Sequence, residues 1–467
     1  MKNNGKNASV LYLFATLFNK GIAFLTVPIF TRILSTTDYG IVTTYNAWVD
    51  ILTVILSLAL YMAIRIAFVD LKKEKKTFLN TVISFTLVLS FIFAIGALLL
   101  GKAFTGISGI IVLLAVVQGS AGALIMDYQQ YLMMDYKYVQ RSLLMALPNL
   151  LAVICSIFAI VYIHPEQLYL GRIVPTMSVY AISAGVVVYQ TYKNQVPHIN
   201  ISHLKYGIAI SLPLVFHGIA LNVLSQSDRT MITLLAGADQ TGIYSLVYNF
   251  SMISAVLTTA LDGVWLPWFM TKMKERQYEQ INAQAKDYIE FMTFAMFGLI
   301  LIGPEILKKM AAQTYWDGIS IIPPIVLANY FIFMYTFFVN VEHYNKKTMG
   351  ITINTVVAAV VNIGLNFIFI PLYGYVAAAY TTLASYCIAM LLHANASHKL
   401  EKSVLPTTQF VLPLVILLVA TILYYCLLDQ WIIRWAIAFG VVMIVATFER
   451  RKIMQYLGIK KGLRKDE

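Results

Sequence analysis

A chain of 467 residues that is 59% hydrophobic and only 12% charged is not built for water, where roughly a quarter of residues carry charge. Its net charge of +12 comes in short, regularly spaced clusters, so it does not form the continuous basic face that a nucleic-acid partner needs, and none is expected. Cys155, Cys387 and Cys426 stand singly in apolar segments without metal-ligand spacing and read as small buried hydrophobes.

Apolar runs of the roughly 20 residues that a membrane-crossing helix needs recur about fourteen times along the chain. The first covers roughly 9–34, with Lys20 near its middle and Arg32 near its end. It is too long for a signal-peptide core and lacks a small-residue cleavage site, so it is expected to be retained. In the second, roughly 38–66, Asn46, Asp50, Ser57, Tyr61 and Arg65 recur at helical spacing and share one face. Four more follow at roughly 77–101, 107–132, 140–163 and 167–190. Arg172, about one turn into the last of these, can line a cleft or reach back to headgroups.

The seventh run, roughly 204–236, puts Asn222, Gln226 and Arg229 on one face, with His217 and Asp228 beside it. Asp228 and Arg229 also read as a structural ion pair. The eighth, roughly 240–268, lines up Tyr244, Tyr248, Ser251, Thr258 and Asp262. The remaining six lie at roughly 286–303, 319–342, 349–371, 375–393, 408–428 and 431–449, and Arg434 reads as an interfacial anchor. The connection from Thr271 to Lys286 is rich in Lys, Glu and Gln, which suits an amphipathic surface helix or a solvated linker.

Of the 34 Lys and Arg residues, 25 fall in the two tails and in every second gap between spans, whereas the other gaps hold only Lys102, Lys308 and Lys309. Retention of cations on the cytoplasmic side places both termini inside the cell. An internal echo supports duplication: Gly40-Ile-Val-Thr-Thr-Tyr-Asn46 opens the second span and Gly242-Ile-Tyr-Ser-Leu-Val-Tyr-Asn249 the eighth. The expected fold is an all-α polytopic membrane protein with two pseudo-symmetric six-helix lobes around a central cleft, over 1–198 and 199–398. Residues 399–467 would add two helices and a basic tail.

Polar groups within a bilayer are costly and are functional candidates by default. The stripes of the second and eighth spans are expected to face each other across the cleft, with Lys20 near Asp50. No phosphate-binding loop, His-Glu-x-x-His or Cys-x-x-Cys pattern occurs, so neither an enzyme nor a metal site is expected. A membrane glycan polymerase would need a large extracytoplasmic loop, and the longest outer gap here is Pro304 to Gly318.

Several segments carry a resemblance. Gly21-Ile-Ala-Phe-Leu-Thr-Val-Pro-Ile-Phe-Thr-Arg-Ile-Leu-Ser followed by Asp38-Tyr-Gly40, Ser227-Asp-Arg-Thr-Met-Ile followed by Gly242-Ile-Tyr-Ser, and Asn362-Ile-Gly-Leu-Asn366 through Ile370-Pro-Leu-Tyr-Gly374 to Ala377 are the segments concerned. In order along the chain, they resemble the Wzx-type polysaccharide repeat-unit flippases of the multidrug/oligosaccharidyl-lipid/polysaccharide (MOP) exporter superfamily. Ala377 stands where the family's pattern has a second glycine.

The resemblance implies alternating access and an undecaprenyl-diphosphate-linked oligosaccharide as cargo, with H+ or Na+ coupling and no other cofactor. It also implies a monomer working beside a polysaccharide polymerase and assembly proteins. Lys20, Arg65 and Arg229 would attract the diphosphate, with Arg172 lining the cleft, and Asn46, Tyr61, Asn222, Tyr244 and Tyr248 would contact the glycan. Asp50, Asp262 and His217 would serve ion coupling. A peptidoglycan lipid-precursor flippase and a cation-coupled multidrug exporter remain as alternatives, the latter calling for a more acidic cleft.

Overall fold

The computed structural model describes residues 21, 22, 24–71, 73–105 and 109–448. Lys20 lies outside the described residues, and so does the side chain of His217. The described residues form helices and no strand: α1 (Phe24–Ile33), α2 (Thr36–Ser57), α3 (Leu60–Asp70), α4 (Lys75–Thr105), α5 (Gly109–Met134), α6 (Tyr138–Phe158), α7 (Leu170–Tyr192), α8 (Ile201–Leu235) and α9 (Ala238–Lys274), then α10 (Tyr278–Met310), α11 (Ile322–Tyr344), α12 (Thr348–Leu400), α13 (Thr408–Cys426) and α14 (Trp431–Phe448). Among the described residues, ten helical runs are long and apolar enough to cross a membrane. One of them, α12, is 53 residues long, about 80 Å at 1.5 Å per residue, and holds two passes. They meet at Gly374, whose φ of 60° and ψ of −144° lie outside the helical region. A Cβ there would stand 2.0 Å from Gln240 Oε1, the atom that accepts the Tyr375 amide at 3.0 Å.

The expected second span is broken in two. Leu58 and Ala59 adopt left-handed conformations with φ of 46° and 51°. Asp127 of α5, fully buried, stands at the break and accepts from Ser57 Oγ at 3.3 Å, from Thr86 Oγ1 at 3.4 Å and from the Tyr61 amide. An interrupted helix inside a membrane needs such a partner for its freed backbone donors. The connection from Thr271 to Lys286 is neither a separate surface helix nor a linker, because α9 runs on to Lys274 and α10 begins at Tyr278.

α3, α4 and α5 pack around Ile64, Phe78, Leu79, Val82 and Leu124. The start of α8 belongs to the same body. Gly207 lets it approach Leu60 and Phe78, His203 Nε2 meets Glu74 at 2.7 Å, and the Tyr206 hydroxyl donates to Asp70 at 2.6 Å. Further along, Leu224 of α8 packs with Ala328, Ala358 and Tyr386 of the second lobe.

The last two helices are clasped to α10 by Arg434, which is fully buried and not the interfacial anchor expected. It donates to the carbonyls of Leu301, Leu427 and Leu428 and to Glu305 Oε1, while Trp435 Nε1 donates to Glu305 Oε2 at 3.0 Å. Cys155 and Cys426 are exposed on the outside of the bundle, not buried, a position that suits an apolar thiol facing lipid.

The lobes close on each other where α2 and α9 begin. A Cβ on Gly40 would lie 1.7 Å from the Ala238 carbonyl oxygen, and one on Gly242 would lie 2.1 Å from that of Thr36. The two contacts mirror each other. Nearby, the Tyr315 hydroxyl donates to the carbonyls of Leu34 and Ser35 at 3.2 and 3.0 Å, and Thr31 Oγ1 donates to Met310 O at 3.2 Å.

Candidate substrate cavity between the lobes

Below that seal, α1, α2, α7 and α9 surround a cavity of about 410 Å³. Its walls are largely apolar, with Val27, Phe30, Val256 and Leu257 among them, and its polar groups are few: Thr26, Tyr39, Thr43, Asn46, Arg172 and Asn249. Such a space with a small number of convergent polar groups is the usual form of a ligand site. The Arg172 guanidinium lies 4.1 Å from the centre of the Phe30 ring, and its Nη1 is buried without a hydrogen-bond partner. Asn249 Nδ2 donates to the Tyr39 hydroxyl at 3.0 Å, joining α9 to α2.

One turn beyond Asn46, a polar chain crosses between the lobes. Gln226 Nε2 donates to Asp50 Oδ2 at 3.1 Å, and Gln226 Oε1 accepts from Arg229 Nη1 at 2.7 Å. The Arg229 guanidinium sits 4.5 Å over the Tyr248 ring and is itself only 6% exposed. An arginine so stacked and bonded is held in a fixed direction.

The structure therefore brings together Asn46, Asp50, Arg172, Arg229 and Tyr248 from the residues singled out in the sequence. The others sit elsewhere. Arg65, past the break in the second span, donates from Nε to Gln130 at 3.0 Å, and Tyr61 shares that half-helix. Asn222 Nδ2 donates to the Gly218 carbonyl at 2.9 Å. Asp262 accepts from Asn340 at 3.2 Å and borders a second, much smaller cavity within the second lobe.

Two expectations need correcting. The stripe of α9 that faces the cavity is Asn249, Met252, Ile253, Val256 and Leu257, not the one running from Tyr244 to Asp262. Tyr244 is fully buried and donates to Asp228 at 2.6 Å. Asp228 in turn is not paired with Arg229. Its two oxygens also accept from Asn366 Nδ2 and Thr382 Oγ1, each at 2.6 Å, so the carboxylate points into the second lobe while the neighbouring guanidinium points towards the first. Asn362 accepts from Asn366 at 3.2 Å in the same network, and its own Nδ2 is buried without a partner. This polar knot went unpredicted, although the helical spacing of Asn362 and Asn366 was a visible signal.

Residues 5–273 match the family model described as polysaccharide biosynthesis protein. No curated protein matches the chain. Among solved structures, the lipid II flippase MurJ in an inward closed conformation is similar at 16% identity and a TM-score of 0.71, over 95% of this chain and 100% of that one. An inward-facing multidrug resistance MATE family transporter of the MOP superfamily is similar at 14% identity and a TM-score of 0.61, over 82% of this chain and 96% of that one. A mutant of the Vibrio cholerae MATE transporter VcmN follows at 14% identity and a TM-score of 0.57, over 86% and 99%. At such identities these three likenesses concern the fold alone. The family model covers more than half of the chain, which therefore belongs to the polysaccharide biosynthesis proteins, the family of Wzx-like flippases with the MOP transporter fold.

Proposed function

We propose that this protein carries an undecaprenyl-diphosphate-linked oligosaccharide from the inner to the outer leaflet of the cytoplasmic membrane, for assembly of a surface polysaccharide. The observation that carries the reading is the Arg172 guanidinium, bordering the cavity between the lobes with a buried donor that no group among the described residues accepts. A diphosphate supplies the missing acceptor, and Arg229 lies on the same polar path beside Asp50. A charged sugar head cannot cross about 30 Å of hydrocarbon unaided, whereas a cleft that opens alternately to each side lets it pass.

In this reading the termini and the lysine-rich turns are cytoplasmic and the Gly40–Gly242 seal closes the outer side. The working units are 1–198, 199–398 and 399–467, and the protein acts as a monomer beside a polymerase. Asn46 contacts the glycan, with Asn222, Tyr61 and Tyr248 in reserve along the path, and Arg65 and Lys20 draw the head group in. Transport is coupled to H+ or Na+ through Asp50 and Asp262, with His217 as a further candidate. The fully buried Asp228, which has three donors, joins them. A peptidoglycan lipid precursor shares the diphosphate–lipid chemistry and is the alternative cargo. A cationic drug is disfavoured by the two arginines.

The test is export in cells that lack the native protein. Arg172→Glu and Arg229→Glu are expected to abolish surface glycan at normal protein levels and to leave lipid-linked repeat units on the inner leaflet. Unchanged surface glycan ends the proposal. Rescue of peptidoglycan-precursor transport by the unaltered chain would move the assignment to the alternative cargo.

A further inference from the structure

Two titratable groups of the second lobe take no part in the cavity. Glu342, near the end of α11, and His393 of α12 are each 1% exposed, with Oε1 and Nδ1 2.6 Å apart. Among the described residues no lysine or arginine pairs with Glu342. Such a pair is a poor source of stability. Taking both groups out of water is costly, their attraction at best offsets that cost, and apolar side chains would fill the space as well. Ionisable groups buried within the helical bundle of a membrane protein are instead typical of ion and proton paths.

The surroundings extend towards the cavity. The Tyr335 ring stacks on the imidazole with centroids 5.6 Å apart and planes 24° apart. Tyr335 is within electrostatic reach of Tyr248 and of Tyr386, and Tyr248 hydrogen-bonds Tyr386. Since Tyr248 carries the Arg229 guanidinium, a column of buried phenols leads from the inter-lobe path to His393. The other groups around the pair are accounted for. His343 feels both Glu342 and His393, and the ring nitrogens of His398 meet the carbonyls of Ala394 and Leu405 at 2.8 and 3.1 Å. Asp262 of α9 reaches α11 through Asn340, Tyr288 of α10 borders the same small cavity as Asn340, and Thr293 of α10 and Phe410 of α13 meet α11 at Tyr330 and Phe338.

We propose that the Glu342–His393 pair is a proton-binding site, exchanging protons at the end of the bundle where Lys346 and Lys347 follow α11. Sharing one proton, the pair is neutral as a unit. A second proton makes it cationic, and loss of the first makes it anionic. In a nearly dry setting either change alters what α11 and α12 gain from lying together. The purpose of the site, coupling a gradient to transport, rests on the function proposed above; proton binding itself does not.

The full chain, reconstituted in phosphatidylcholine vesicles, is taken through a pH cycle under difference infrared spectroscopy, with no cargo present. As pH falls, protonated-carboxyl absorption is expected to grow reversibly, and Glu342→Gln, which keeps an acceptor for His393 Nδ1, is expected to remove one component of it. In His393→Gln, with Glu342 retained, the pH at which that component appears should move. A carboxyl spectrum that Glu342→Gln leaves unchanged, or a component whose midpoint is unmoved in His393→Gln, overturns the proposal. Failure here leaves the transport assignment standing, and intact export by the Arg172 and Arg229 variants leaves this site standing.

Discussion

The seal between the lobes has room for hydrogen and nothing larger at Gly40. A methyl group on that Cα would sit 1.7 Å from the Ala238 carbonyl oxygen, whereas real Cβ contacts do not fall below 3.0 Å, so Gly40→Ala must part α2 and α9 by about 1.3 Å. Hydrogen bonds between the lobes follow below. Thr44 and Thr233 hydroxyls are 2.6 Å apart, Trp48 Nε1 donates to Thr230 at 2.9 Å, and Asn249 donates to Tyr39 at 3.0 Å. Each would stretch past hydrogen-bonding distance, and at about 1 kcal/mol net per bond the sealed state loses about 3 kcal/mol. That is roughly two orders of magnitude in the ratio of sealed to open molecules.

Nitroxides at Thr37→Cys and Asp239→Cys, both exposed positions, in a chain freed of its three native cysteines, read the separation as dipolar broadening. Gly40→Ala should narrow the spectrum, and Gly242→Ala should do the same without adding to it, since both relieve one contact. Gly96→Ala, with nothing within 4 Å of its Cβ, should leave the spectrum alone. Unchanged broadening in a folded Gly40→Ala protein would refute the steric argument.

The other predictions concern stability, read by thermal unfolding in detergent. Left-handed backbone costs a residue with a side chain about 1–2 kcal/mol, so Ala59→Gly should leave the protein as stable as before or more so, whereas Ala63→Gly, four residues on inside α3, should lose about 1 kcal/mol. Arg434→Ala strands Glu305 and three carbonyls and should cost about 3–5 kcal/mol, releasing α13 and α14 first, detectable as early proteolysis of the C-terminal part. Partial burial pushes the Asp135 carboxyl up, but Lys75 at 2.8 Å and Lys137 at 3.0 Å more than offset this and hold it below its usual 3.8. A depressed native value means the unfolded chain takes up the proton first, so this contribution is present above the unfolded value and fades as pH falls through the native one. Asp135→Asn should therefore lower the melting temperature at neutral pH and make no difference in strong acid.

The membrane passes were legible because hydropathy and cation placement are averaged over twenty residues and survive local exceptions. The interruption at Leu58 and Ala59 was not, because neither residue is Gly or Pro and the distortion is sustained by Asp127 from another helix. The cavity-facing side of α9 was misjudged for a related reason. The helix is polar on more than one face, and what turns Tyr244 inward is Asp228, fixed by Asn366 and Thr382 on a distant stretch of chain. Arg172 and Arg229 were identifiable as cations without obvious partners, but which of them keeps a free donor beside the cavity depends on Gln226 and Phe30, neighbours only in the folded bundle.

The divided loyalty of α8 sets a mechanical condition on any working cycle. Its first turns are bolted to one body through His203, Tyr206 and Gly207, and its last turns are welded into the other around Leu224 and Asp228. Swivelling of one body against the other must then be taken up as bending strain within this single rod. The sequence places Pro213, which has no amide hydrogen to give, and Gly218 in the middle of it, where a torsion spring would be cut thinnest.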